Sequence, residues 1–318
     1  MANLHLPLGP GSEFDTVRAT LARWGSVARG TGDDGAVLDV GEGRQIVVST
    51  DTMVENVHFK RGWFSSNEIA FRAAASAISD LAAMGAEPLG MLISMTLPDR
   101  WRAESMAFAD GFGAAARASD ISIMGGDFST GSELNFCVTV LGSVEPARTL
   151  SRAGAIPTQA LWVTGALGGP RLALQALQRG VAPLPLHRDR FARPVPRLRE
   201  ARWLAAHGAT SAIDISDGVI GDAAHIAAAS RARLTIELEW LPVISGATMD
   251  DAAQSGEEYE LLVSATDQLD AAAFAIEFGV PITRIGVVDV EDERGPGLDV
   301  LRGGSRVTPP RGHDHFLA

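Results

Sequence analysis

Seven aspartates, Asp33, Asp34, Asp51, Asp80, Asp127, Asp214 and Asp217, stand at turns or strand ends among glycines and apolar residues. Acids commonly populate loops and cap helices, and each of the seven taken singly is explained that way. Asp80 resists the explanation. Its segment, Asn67–Met84, is alanine-rich with high helix propensity, and on a helix its neighbours three and four positions away are Ser76, Ala77, Ala83 and Met84. The carboxylate therefore leaves the face that should pack, where an unpaired charge is costly and calls for a metal, an arginine or a cap. Oxygen ligands drawn from several segments, without Cys/His spacing, suit Mg²⁺ better than zinc, and Mg²⁺ in turn suggests a polyphosphate.

Two glycine-flanked segments would let backbone and ligand approach closely: Gly125-Gly126-Asp127, read as a turn, and Asp214-Ile215-Ser216-Asp217-Gly218. The second opens a helix, whose free N–H groups favour phosphate; simple N-capping by Ser216 or Asp217 explains the same residues. His58 is placed either to touch a substrate or to end a strand, and Arg152 either to grip phosphate or to sit on the surface. Glu257 and Glu258 precede a strand, with surface charge as the alternative. His313-Asp314-His315 has the look of a metal cluster but reads better as a solvated tail, and Cys137 as a packing residue in a strand.

The elements that must position these groups follow from periodicity. Helices are expected at Phe14–Trp24, Asn67–Met84, Glu104–Ser119, Arg171–Gln178, Leu198–His207 and from Ser216 through Ala228. Strands are expected at Arg44–Thr50, running into Asp51, and at Gly90–Leu97, Ile121–Met124, Leu134–Gly142, Ala160–Thr164, Ala212–Ile215, Leu234–Leu238, Tyr259–Val263 and Ile282–Val290. Pro183–Arg199 reads as a Pro/Arg-rich stretch without an element of its own. Prolines and a charge change near residues 145–157 suggest two domains, 1–148 and 149–318, of a mixed α/β (α+β) protein. A chain of 318 residues has length enough for two cores. Its formal charge of −12 opposes binding to nucleic acid or anionic membrane. With one cysteine, no signal segment and no long apolar run, the cytoplasm is the expected location. Lys60 is the single lysine, so a GxxxxGK[ST] phosphate loop is absent and arginine, backbone and metal must handle any phosphate.

In order along the chain, several segments resemble the thiamine-monophosphate kinase family, within the superfamily that includes aminoimidazole-ribonucleotide synthetase. They are Gly32-Asp33-Asp34-Gly35-Ala36-Val37; Ser49-Thr50-Asp51-Thr52-Met53-Val54-Glu55 with His58-Phe59; Ser79-Asp80-Leu81-Ala82-Ala83-Met84-Gly85-Ala86; Gly125-Gly126-Asp127; Ser151-Arg152-Ala153-Gly154-Ala155; Asp214-Ile215-Ser216-Asp217-Gly218; Glu257-Glu258-Tyr259-Glu260-Leu261; and Gly312-His313-Asp314-His315-Phe316. The resemblance implies an N-terminal domain that dimerises as a sheet or barrel, a C-terminal α/β domain, and an ATP site between them. It implies several Mg²⁺ ions on Asp33, Ser49, Thr50, Asp51, Asp80, Asp127, Asp214 and Asp217, ATP contacts from Gly126, Asp127, Arg152 and Ser216, and thiamine monophosphate contacts from His58, Glu257 and Phe316.

On that basis the expected chemistry is direct, metal-assisted phosphoryl transfer carried by Asp51, Asp80 and Asp127. The acceptor phosphate is already mostly dianionic at neutral pH, so no general base is assigned. Three departures stand out: Asp127 is followed by Phe128-Ser129-Thr130 where members carry two threonines and an arginine, Ser255-Gly256-Glu257-Glu258 replaces Gly-Gly-Glu-Asp, and His313 replaces a common aromatic. The alternatives are another ATP-dependent enzyme of the superfamily and a silent protein that binds nucleotide or thiamine phosphate.

Overall fold

The computed structural model describes residues 5–28, 30–41, 43–290 and 294–309. The first half contains α1 (Ser12–Trp24), β1 (Ala36–Asp39), β2 (Gln45–Val54), α2 (Ser66–Ala83), β3 (Glu87–Thr96), α3 (Ser105–Ala118), β4 (Ser122–Ser129) and β5 (Asn135–Val144). Its five strands form one sheet in the order β1-β2-β5-β3-β4, antiparallel except for the parallel pair β3/β4. Alternation along β2 sends Val47, Ser49, Asp51 and Met53 to one face and Thr50 and Thr52 to the other. The first face is covered by α2 and α3 through Met91, Phe136, Val138 and Val140. Among the described residues the second face is bare, with Thr50, Thr52, Leu92 and Ser94 exposed.

Helix α2 starts with a reciprocal capping box, Ser65 with Glu68, and its run of small side chains lets neighbours come close on every side. It touches β2, β5 and α3 of its own half. It also touches three elements of the second half: α5 (Pro185–Ala192), α6 (Leu198–Ala206) and β7 (Ser211–Asp214). A helix whose small side chains are buried on nearly every face belongs in such a place.

The second half adds β6 (Ala160–Thr164), α4 (Gly169–Gln178), α7 (Val219–Ser230), β8 (Arg233–Glu237), α8 (Met249–Gln254), β9 (Leu261–Ala265), α9 (Ala271–Phe278), β10 (Ile282–Val288), β11 (Gly297–Arg302) and β12 (Ser305–Val307). Its sheet runs β12-β11-β8-β10-β6-β9-β7, antiparallel except for β11/β8. Ile213, Ile226, Leu234, Ile236 and Leu262 form a core with α7. The residues of the other face, Trp162, Ala212, Leu261 and Val263, join a cluster that continues through α2 into the first sheet, so the two halves share apolar packing.

Three local expectations change. Asp51 lies inside β2 rather than on a connection, because the strand runs on to Val54 in full register with β5. Gly125, Gly126 and Asp127 are not a turn; they continue β4, and a Cβ at Gly126 would stand 1.9 Å from the Ile93 carbonyl oxygen, so glycine is what allows that pairing. Pro183–Arg199 contains α5, which Pro185 opens from its first turn. No helix among the described residues is long and apolar enough to cross a membrane.

Candidate active site

The loop before β1, the last turn of α2 and the end of β7 bring Asp34, Asp80 and Asp214 together, with one carboxylate oxygen from each within 4.8 Å of the others. Asp214 is 3% exposed and Asp34 is also buried. Ser49 Oγ donates to Asp80 Oδ2 at 2.5 Å, from the same face of β2 that carries Asp51. Burial, then the charges of Asp214, Asp34 and Asp51, push the Asp80 carboxyl well above the usual carboxylate range. Burial and Asp34 push Asp214 up to about 7. Asp80 also sits at a helix C-terminus, where the backbone dipole disfavours negative charge. Each of these effects would be relieved by a cation, and three converging carboxylates with a serine hydroxyl are the donor set a hard divalent ion takes.

The adjoining cation is already committed. Arg152 clamps Asp34 with Nε to Oδ2 at 3.2 Å and Nη2 to Oδ1 at 2.5 Å, and its guanidinium is held still more firmly in the charged form by Asp34 and Asp33 against the cost of burial. Asp33 accepts from Ser151 Oγ at 2.5 Å and from the Arg152 backbone N–H at 3.0 Å. Burial and the neighbouring Asp34 raise its pKa. Successive aspartates thus divide the work: Asp33 pins the start of the second half, and Asp34 faces Asp80 and Asp214.

These groups line a cleft of about 1010 Å³ between the halves, together with Asp51, Asp217, Asp222, Ser216, His58, Glu257 and Tyr259. Capping does not account for Ser216 and Asp217: the N-cap of α7 is Gly218, it receives no side-chain cap, and the Gly218 N–H goes to Asp222 Oδ2 at 3.1 Å. Burial, then Asp217 and Asp214, push Asp222 well above its usual range. His58 Nδ1 accepts the Val54 N–H at 3.0 Å, closing the turn after β2, which leaves the ring proton on Nε2. Glu257 and Tyr259 both adopt left-handed backbone, φ 57 and 52, in a segment bound over the end of β7 by Glu257 N–H to Ser216 O at 2.7 Å and Tyr259 N–H to Ile215 O at 2.9 Å. Non-glycine residues held this way persist only where their surroundings impose it. Glu258 is not surface charge: it is buried, accepts the Gly168 N–H at 2.5 Å and pairs with Arg190 at 3.3 Å.

Comparison with known proteins gives the family. Residues 32–144 match the family described as AIR synthase related protein, N-terminal domain. The thiamine-monophosphate kinase of Salmonella typhimurium is 33% identical over 95% of this chain and 95% of its own length. Among solved structures, AaThiL complexed with AMPPCP and TMP is 26% identical, covers 96% of this chain and 97% of its own, and superposes with a TM-score of 0.83. The thiamine-monophosphate kinase of Stenotrophomonas maltophilia is 33% identical, covers 93% of this chain and 97% of its own, and gives a TM-score of 0.75. The chain belongs to the thiamine-monophosphate kinase family. Its two-sheet architecture is the AIR synthase-like fold, as expected from the sequence.

Within that family frame, the expected site residues separate into two groups. Asp33, Ser49, Asp51, Asp80, Asp214, Asp217, Arg152, Ser216, His58 and Glu257 all line the one cleft. Asp127 and Gly126 do not. Gly126 is in register with Asp51 across β3 and β5, three strand spacings or about 14 Å away, and Asp127 pairs with Ser94 on the bare face. Thr50 lines the cleft too, but its hydroxyl turns to that other face, where it meets Thr139 Oγ1 at 3.1 Å. Phe316, with His313 and His315, lies outside the described residues. Asp34 as a member of the triad, Asp222, His225 and Arg72 were not assigned from the sequence. The one signal for Arg72 is a charged residue inside the alanine-rich helix.

Proposed function

We propose that the cleft performs the reaction for which the family is named: transfer of the γ-phosphoryl group of ATP to thiamine monophosphate, giving thiamine diphosphate and ADP. The observation that carries this is the triad of buried Asp34 and Asp214 with half-buried Asp80, opening into a cleft between the halves. Asp34, Ser49, Asp51, Asp80, Asp214 and Asp217 would hold Mg²⁺, with the Asp33 loop anchored beside them. Bound there, Mg²⁺ supplies the charge neutralisation that lets two polyanions approach and the field that stabilises the transition state.

The chain's own residues do the rest. Ser49 orients the Asp80 carboxylate, and the Arg152 clamp fixes Asp34 while keeping unused guanidinium N–H groups for a phosphate. Ser216 stands just before α7 in the lining of the cleft. His58 and Glu257, joined by Phe316, would contact thiamine monophosphate. An oxygen of the acceptor phosphate attacks the γ-phosphorus as the bond to the β-bridging oxygen breaks, and ADP carries the negative charge away. No side chain removes a proton, because the attacking phosphate is already an anion.

The active form we propose is a homodimer of two-domain protomers, 1–148 and 149–318, in the cytoplasm. Every residue of β4 is exposed; the bare face carries Leu92 and Met124, and Phe128, 71% exposed and in register with Met95, projects from the other side of the same edge strand. An edge and face of this kind call for a partner, and a second copy would also give Gly126 and Asp127 a site to serve. The test is incubation of the purified protein with ATP, Mg²⁺ and thiamine monophosphate, with products separated by chromatography and free thiamine as control acceptor. Equimolar thiamine diphosphate and ADP, dependent on Mg²⁺ and absent with thiamine, are expected. Saturable ligand binding without product would overturn the enzyme and leave a binding protein.

A further inference from the structure

We infer that Arg72 is the positioning residue for the thiamine monophosphate side of the cleft: it aims Glu257 and fixes the His58 turn, a role that rests on the phosphoryl-transfer reading above. Arg72 is the largest fully buried side chain, 1% exposed, on α2 two turns before Asp80. Its guanidinium lies over the ring of Phe191 from α5 at 4.4 Å and over that of Phe64 at 5.5 Å. Nη1 donates to the His58 carbonyl oxygen at 3.0 Å, and Nη2 pairs with Glu257 Oε1. One side chain therefore joins α2, the turn after β2, α5 and the left-handed segment at Glu257, all at the place where the two halves meet.

Stability alone is a poor reason for this arrangement. A buried ion pair pays a desolvation cost that often cancels its attraction, and Arg72 Nε has no hydrogen-bond partner among the described residues. What the pair does secure is geometry. Glu257 stands on strained backbone, and without Arg72 its partly exposed carboxylate is free to swing into water. With Oε1 held by Arg72, Oε2 is the oxygen left to meet a ligand that carries a cationic ring and amine donors. Thiamine monophosphate is such a ligand, whereas ATP carries no cationic ring. Loss of Arg72 should therefore weaken one substrate and spare the other.

The experiment measures steady-state kinetics and calorimetric binding for Arg72→Met, Arg72→Lys and Arg72→Met in a Glu257→Gln background, with melting temperatures recorded for each. Arg72→Met is expected to raise KM for thiamine monophosphate about tenfold or more, with KM for ATP within about twofold and kcat little changed. Arg72→Lys, which keeps the charge, should recover most of the loss. In the Glu257→Gln background Arg72→Met should add less than about twofold, because the two act as one unit. If Arg72→Met does not fold, Arg72→Gln, which keeps a donor for the His58 carbonyl, is expected to show the same split. A full tenfold effect in the Glu257→Gln background, or equal rises in both KM values, would overturn the inference. Should the wild type bind both ligands but make no product, the transfer reading fails on its own. Positioning then stands if Arg72→Met weakens binding of thiamine monophosphate alone, and falls if it does not.

Discussion

Asp80 is the residue at which stability and function are set against each other. Its carboxylate faces Asp34, Asp51 and Asp214 in a buried place, at the disfavoured end of a helix. Replacing it with asparagine removes one of several like charges while keeping the Ser49 hydrogen bond available. In metal-free protein Asp80→Asn should raise stability by ~1 kcal/mol, roughly 2 °C in melting temperature. The same change should cut kcat/KM by about a hundredfold or more and abolish the rise in melting temperature that Mg²⁺ gives the wild type. Thermal melts with and without Mg²⁺, beside the kinase assay, check both halves. A variant that stays active, or one that still gains from Mg²⁺ as the wild type does, would remove Asp80 from the ligand set.

The same residue shows what sequence can reveal. Asp80 was legible because a charge on the packing face of an alanine-rich helix breaks a simple rule. Asp34 was visible as a carboxylate, yet nothing in Asp33-Asp34 says which of the two turns toward the cluster; that choice is made by Ser151 and Arg152, more than a hundred residues away. Arg72 makes its contacts with segments distant in the chain, so only the closed fold reveals its role.

At the scale of elements, α1 is attached lightly. One residue of the helix, Leu21, is buried, and the helix and the segment before it dock on α7 through His225: the Gly9 N–H donates to Nδ1 at 3.2 Å and the ring of Phe14, in the first turn of α1, lies 4.2 Å from the imidazole. Burial, with Arg152 and Arg18 nearby, lowers the His225 pKa to about 3. Unfolded, it would titrate near 6.5. The unfolded state therefore takes up a proton first, and His225 removes stability as pH falls from 6.5 toward 3, by about 2 kcal/mol between pH 6.5 and pH 4.5. His225→Gln, which can still accept from Gly9, should flatten that part of the acid limb relative to the wild type. Denaturant titrations of both proteins at several pH values provide the comparison; identical slopes between pH 6.5 and 4.5 would count against a buried neutral imidazole. Helix α1 itself was legible from its periodicity and start signal. The continuation of β2 through Asp51 and of β4 through Gly126 was not, because pairing with β5 and β3 overrides the local breakers.

At the scale of the molecule, Gly126 and Asp127 stand apart. The sequence groups them with the other site residues, while the fold puts Gly126 three strands away from Asp51 and turns Asp127 to the opposite face of the first sheet. In a homodimer built on that face, Asp127 of one protomer would serve the cleft of its partner, and this can be decided genetically. Asp51→Asn and Asp127→Asn should each abolish transfer as homodimers. In a heterodimer isolated through two different tags, a trans arrangement gathers both defects into one site and leaves the other intact, so about half of wild-type activity should return. If Asp127 serves its own protomer, each site carries one defect and the heterodimer stays inactive. Restored activity needs only that the two chains associate through the face that carries Leu92 and Met124, so Leu92→Asp should abolish both the heterodimer and the rescue. Light scattering reads the first and the kinase assay the second.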